Sequence, residues 1–227
     1  MTKWRGRLAA FIFAALSLGF AAPSTAVRAE TRAVRTIILP PGPLTETDPG
    51  RELLSYMIGC ALPADVDARI GARAQDAAMH GGLGLAPDWS DRPLTQAEQE
   101  LVSACVLARV NAFGVPVRIS LRALDMNHPP PALAVTEDEK RTYPLFEGAF
   151  FGNIFARPPQ MFACSGQATP RDLQQLERVC TLPTHGDETV CTFVLTGPCP
   201  SVGAPHARGR NWPNAIAVYL SKESNTE

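Results

Sequence analysis

The plainest pattern of apolar and polar positions lies at residues 94–113. From Leu101 to Phe113 only Ser103, Arg109 and Asn111 are polar, which predicts a helix covered on most of its sides. Thr95-Gln-Ala-Glu98 opens it as a capping box, where hydroxyl and carboxylate each satisfy an otherwise orphaned backbone donor. Gly114 supplies the stop. An earlier helix is predicted with Asp48 as N-cap and Pro49 at its first position, where a missing N–H costs nothing. Leu53, Leu54, Met57, Ile58 and Ala61 form its buried face, and Pro63 ends it. Thr169-Pro-Arg-Asp172 begins a third helix with Leu173, Leu176 and Val179 inward.

Period-two alternation marks the strands. Residues 34–39 form a short one, closed by Pro40-Pro-Gly-Pro43 because proline cannot donate to a ladder. Val66, Ala68, Ile70, Ala72 and Ala74 alternate with Asp67, Arg69, Gly71 and Arg73, a strand with one wet face. Val115, Val117, Ile119, Leu121 and Ala123 alternate with partners that include Arg118, Ser120 and Arg122. Residues 189–195 and 215–220 are late strands. Asn127-His-Pro-Pro-Pro131 and Glu137-Asp-Glu-Lys-Arg141 read as an extended, solvated loop. Helices and strands mix without a βαβ rhythm, so the fold class is α+β. We expect one disulfide-stapled domain, with a central buried helix at about 95–113 on a mostly antiparallel sheet.

The start of the chain changes the picture. Lys3, Arg5 and Arg7 precede an uncharged run at residues 8–22, and small residues follow, with cleavage expected after Ala26 or Ala29. That order is a signal peptide, residues 1–29, ahead of a single mature domain, residues 30–227. Its apolar run, about 15 residues, falls short of the roughly 20 that span a bilayer, and no later stretch is long enough. The protein is expected in the periplasm or outside the cell.

Six cysteines follow the leader: Cys60, Cys105, Cys164, Cys180, Cys191 and Cys199, four of them in the segment 160–200. An even count beyond an export signal points to three disulfides. A bond between Cys60 and Cys105 would staple the first two helices, and Cys180 with Cys191 would close a loop around Pro183-Thr-His-Gly-Asp187, leaving Cys164 and Cys199. Any four cysteines allow three pairings, and spacing does not choose among them. No C-x-x-C spacing suggests zinc or redox chemistry. No metal or cofactor is expected.

Charge excludes one class of partner. Of 21 basic residues, four lie in the leader, leaving 17 against 22 acids and a net charge near −5 without a basic tract. Nucleic acid binding needs a clustered positive footprint. The four histidines, His80, His128, His185 and His206, all sit in Gly/Pro-rich loops without the spacing of a helical metal site. No G-x-S-x-G elbow is present. Cys164-Ser-Gly166 resembles a fragment of a nucleophile loop, but an oxidised sulfur cannot attack as a thiolate. His80-Gly-Gly-Leu-Gly84 lacks the order of a phosphate loop and serves a turn.

One acid stands apart. Glu147 opens the apolar stretch Glu147-Gly-Ala-Phe-Phe-Gly-Asn153. As a general acid or base it would have its pKa raised in a desolvated pocket beside Phe150 and Phe151, with Asp125 as a possible second carboxylate. As architecture it would accept backbone N–H groups or pair with Arg118 or Arg122, since a buried acid without partners costs several kcal/mol. Asn153 could cap the following turn. The architectural reading is preferred, because ion pairs outnumber catalytic acids.

Gly84-Leu-Ala-Pro-Asp-Trp89, Val102-Ser-Ala-Cys-Val-Leu-Ala-Arg-Val-Asn111, the Glu147 stretch through Phe155, and Phe162-Ala-Cys-Ser-Gly166 together resemble a group of exported, uncharacterised bacterial proteins. The resemblance implies bacterial export and one disulfide-rich domain, and it brings no activity or site residue. Because each catalytic pattern is incomplete, a non-catalytic binding, interaction or structural module of the cell envelope is expected, its partner unidentified and another envelope protein one candidate. The alternatives are an exported hydrolase using Glu147 and an inhibitor presenting residues 183–188.

Overall fold

The computed structural model describes residues 33–37, 43–70, 78–110, 118–124, 129–166, 180–181, 190–191 and 193–221. All fall within one compact unit, Thr31–Glu227. In chain order the elements are β1 (Ala33–Ile37), α1 (Pro43–Glu46), α2 (Asp48–Ala61), β2 (Val66–Ile70), β3 (Met79–His80), α3 (Gln96–Arg109) and β4 (Ile119–Ala123). Then come α4 (Glu137–Thr142), β5 (Leu145–Asn153), β6 (Gln160–Ser165), β7 (Cys180–Thr181) and β8 (Val190–Cys191). The chain closes with β9 (Val194–Pro198), β10 (His206–Ala207), β11 (Arg210–Asn211) and β12 (Ile216–Leu220).

The fold is α+β. A five-stranded sheet of order β4-β12-β5-β6-β9 is antiparallel except at its last pair, where β9 runs parallel to β6. A second sheet, β1-β2-β3, is mixed. The hairpins β7-β8 and β10-β11 stand apart.

Helix α3 forms where the sequence places it. Thr95 and Glu98 make both halves of the capping box. Every residue from Glu100 to Ala108 is buried, so the helix is central. It ends at Arg109, short of residue 113, because Val110 turns to extended backbone (φ −67°, ψ 138°). The predicted stop at Gly114 lies outside the described residues.

Helix α2 buries Leu54, Met57, Ile58 and Ala61, while Leu53 is half-buried. Its N-cap is Thr47, whose hydroxyl accepts from the Gly50 N–H at 3.1 Å, and Asp48 sits one place further in than expected. A hydroxyl one residue earlier takes the cap, and Asp48 pairs with Arg51 instead. Its C-terminus answers the glycine question at His80-Gly-Gly-Leu-Gly84. The N–H groups of Gly82, Leu83, Gly84, Leu85 and Ala86 donate to the carbonyls of Leu62, Gly59, Leu62, Cys60 and Ala61. Those carbonyls have no partner within the helix. A Cβ on Gly82 would collide with the Gly59 carbonyl, so only glycine permits this approach.

Three further expectations shift. The acidic and basic run Glu137-Asp-Glu-Lys-Arg141 is not loop but α4, because Thr136 caps it and Lys140 and Arg141 pair with Glu137 and Asp138 one turn back. The side chains of Glu137, Asp138, Lys140 and Arg141 do remain in solvent, while Glu139 is half-buried. Strand β2 lacks a clean wet face: Val66, Asp67 and Ala68 are all buried, Asp67 with its carboxylate 2.8 Å from the His80 ring. The segment predicted as one late strand, 189–195, is split into β8 and β9 around the buried Phe193. The predicted helix at 169–179 lies outside the described residues.

Alternation in the five-stranded sheet sorts its side chains onto two faces. Phe150, Ala163, Ile216, Val218 and Leu220 join α2 and α3 in the larger core. Ala149, Phe151, Phe162 and Cys164 join Trp212, Ala207 and Ala215 in a second, aromatic cluster. Cys60–Cys105 ties α2 to α3, and Cys164–Cys199 ties β6 to the chain beyond β9. In the chain-entropy account each bridge, closing loops of 45 and 35 residues, contributes about 4 kcal/mol. Among the described residues no helix is long and apolar enough to cross a membrane.

Candidate functional site

Strand β5 carries the motif Glu147 to Asn153 through the centre of the large sheet. Against β12, Gly148 pairs with Val218 and Phe146 with Tyr219, so Glu147 is an extra residue with no opposite number. It is the bulge of a β-bulge, a device that bends a strand and re-aims a side chain.

Two contacts fix the bulge. The Glu147 carbonyl accepts the Gly166 N–H at 2.8 Å. A Cβ on Gly166 would overlap the Phe146 carbonyl oxygen, so glycine is what lets the two backbones meet. The stretches Glu147-Gly-Ala-Phe-Phe-Gly-Asn153 and Phe162-Ala-Cys-Ser-Gly166 thus form one packed unit, paired from Gly148–Ser165 to Asn153–Gln160.

The Glu147 residue is 0 % exposed and is not without a partner. Of the two expected ion-pair partners, Arg122 is engaged elsewhere: Nε donates to Ser120 Oγ at 3.0 Å and Nη2 to the Tyr143 carbonyl at 2.7 Å. Its guanidinium also stacks 3.8 Å over the Tyr219 ring. Arg118 is exposed. Asp125, the expected second carboxylate, lies outside the described residues. Asn153 does cap the following turn: its Oδ1 accepts the Phe155 N–H at 2.9 Å, while Nδ2 donates to Gln99 Oε1 on α3. Ser103, fully buried on α3, donates to the Gln99 carbonyl and accepts the Ile154 N–H. The end of β5 is therefore bolted to the central helix by side chains that satisfy its backbone.

Other candidates are scattered. Cys164 is bonded to Cys199, so no thiolate is present in Cys164-Ser-Gly166. Among the described residues no cysteine is free. Cys180 and Cys191 oppose each other in the β7–β8 register, and their side chains lie outside the described residues. The His80 ring, largely exposed, places Nδ1 2.8 Å from Oδ1 of the buried Asp67. His206 is exposed on β10. His128, His185 and the loop 183–188 lie outside the described residues. Among the described residues no three His, Cys, Asp or Glu side chains converge as metal ligands.

The sequence reading missed a second buried acid. Glu100 on α3, 4 % exposed, pairs with Arg210 and accepts from Gln96 at 3.0 Å and Asn214 at 3.1 Å. Arg210 in turn stacks 3.7 Å over the Trp212 ring. This network ties the β10–β11 hairpin to the central helix across 110 residues of sequence. A carboxylate in the predicted central helix, directly before its apolar run, was the available signal, since a buried group of this kind requires partners.

Comparison with family models, with curated proteins and with solved structures finds no match to this chain.

Proposed function

We propose that this chain is an exported, disulfide-stapled module that acts by binding or scaffolding and not by catalysis. The burial of Glu147 carries the reading. The one acid singled out for catalysis is wholly withdrawn from solvent, in the middle strand of a sheet with a core cluster on each face. A general acid must come within hydrogen-bond reach of its substrate. The sulfur in the other suggestive motif is spent on a cross-link. The leader-like N-terminus and the cross-links favour an oxidising compartment such as the periplasm, and the motif resemblance to exported bacterial proteins points the same way.

The bulge favours a second reading, because bulges gather beside active sites. Under it Glu147 is the acid of a hydrolase. Glu147→Gln separates the two. An architectural acid loses about 2 kcal/mol on becoming an amide, read as a drop in melting temperature. A catalytic one loses turnover in a glycosidase and esterase screen while the melt stays put. The second outcome overturns the proposal.

A further inference from the structure

Three of the four large apolar side chains that stand exposed among the described residues lie on one short stretch: Val194, Leu195 and Val202. Two of them are on β9, the outer strand of the large sheet. All five of its residues are exposed, and among the described residues it pairs only with β6. Natural sheets blunt such edges with charge, proline or a covering loop. The opposite edge, β4, is guarded by Arg122 and by the 2.8 Å bond from Ser120 to Glu139. Strand β9 carries no charge, and only its far end is blunted, by Gly197 and Pro198.

A cation stands over the neighbouring strand β6. Phe162 is the register partner of Val194, and the Arg208 guanidinium lies 5.9 Å from the Phe162 ring. Arg208 is exposed and makes no ion pair among the described residues. Its backbone is unusual: Arg208 (φ 50°) and Gly209 (φ 77°) turn the β10–β11 hairpin with positive φ at both positions. Asn, Asp or Gly normally occupies the first of these. An arginine there accepts a conformation that its Cβ disfavours, and strain of this kind concentrates at functional positions.

We propose that β9 is a docking strand for an extended apolar segment of another protein, whose terminal acidic residue meets Arg208. Main-chain hydrogen bonds to the edge that is unpaired among the described residues would supply affinity, Val194 and Leu195 the apolar contacts, and Arg208 the polarity of the match. A second copy of this chain fits less well. Pairing two β9 edges would draw Pro198, which has no N–H, into the new ladder and bring no acid to either Arg208. The inference rests on the binding-module reading above.

The test is a titration of the full-length, oxidised protein followed by fluorescence anisotropy. The probe is a labelled peptide of alternating valine and threonine with aspartate at both ends, beside a counterpart with lysine at both ends. The aspartate peptide is expected to bind about tenfold more tightly. Arg208→Gly should erase that preference without lowering the melting temperature, and Leu195→Glu should weaken both peptides. Equal binding of the two peptides, a preference that survives Arg208→Gly, or no binding at millimolar peptide overturns the proposal. A dimer in sedimentation that Leu195→Glu dissociates overturns it in favour of the second copy. Hydrolytic turnover lost in Glu147→Gln would instead overturn the binding-module reading, so the two failures are distinguishable.

Discussion

The two faces of the large sheet are built on different plans. On one, the aliphatic sides of α2 and α3 lie over Phe150, Ala163, Ile216 and Val218, and the helices carry their own caps and a disulfide between them. On the other, Phe151, Phe162 and Trp212 pack ring on ring at 5.5–6.2 Å with alanines filling between. The first face is assembled from elements that are stable patterns in themselves. The second depends on residues from β5, β6 and the chain after β11 meeting at a distance, held there by Cys164–Cys199 and by Arg210 between Trp212 and Glu100. A helix-covered face advertises itself through periodicity. An aromatic face made of remote pieces is visible only once the register is known.

The strongest way to break this contrast is to empty each face in turn. Phe150→Ala and Trp212→Ala should each cost about 4 kcal/mol, read from the midpoint of urea unfolding. A loss under about 1 kcal/mol for Trp212→Ala would show that the aromatic side is a surface cluster and not a core. Comparable in size, the double variants Cys60→Ala/Cys105→Ala and Cys164→Ala/Cys199→Ala should each lose about 4 kcal/mol. If the helix face holds itself together as its caps imply, the Cys164–Cys199 pair is the one whose loss also loosens its surroundings. Near-ultraviolet circular dichroism, with the Trp212 signal isolated by difference from Trp212→Phe, would read that loosening, and an unchanged Trp212 signal would contradict it.

The smallest effect concerns the cap of α3. The Arg92 hydrogen bond, aided by Thr95, holds the Glu98 carboxyl at about 2 against an ordinary 4.5. A carboxyl depressed on folding stabilises the protein above its unfolded value, and that contribution is lost as pH falls from 4.5 towards 2. Glu98→Gln should therefore lower stability near neutrality and flatten the acid side of the curve, so that variant and parent converge as pH falls towards 2. A curve identical to that of the parent protein would show that the pair is screened by solvent.

Most of the helical half was legible along the chain. Thr95 and Glu98 cap α3, Leu54 to Ala61 face inward, and Cys60 lies opposite Cys105, because a helix's contacts repeat every three or four residues and its ends have local chemistry. Boundaries moved by a residue where a rival hydroxyl, Thr47, took the cap, and α4 appeared where charges alone suggested coil. The site was legible only as a question. Glu147 could be picked out as an acid among phenylalanines, and its partners in the sheet could not. Nothing in Glu147-Gly-Ala-Phe-Phe-Gly-Asn153 says that Gly148 meets Val218 while Phe146 meets Tyr219, which is what makes the glutamate a bulge.

The sequence by itself determined the two long helices α2 and α3, most of the positions that seek a core, and the fold class, because capping and periodicity act over a few neighbouring residues. Tertiary structure decided the strand register and the fate of Glu147 and Glu100. Those outcomes depend on where groups 50 to 110 residues apart come to rest, and no local preference encodes that distance.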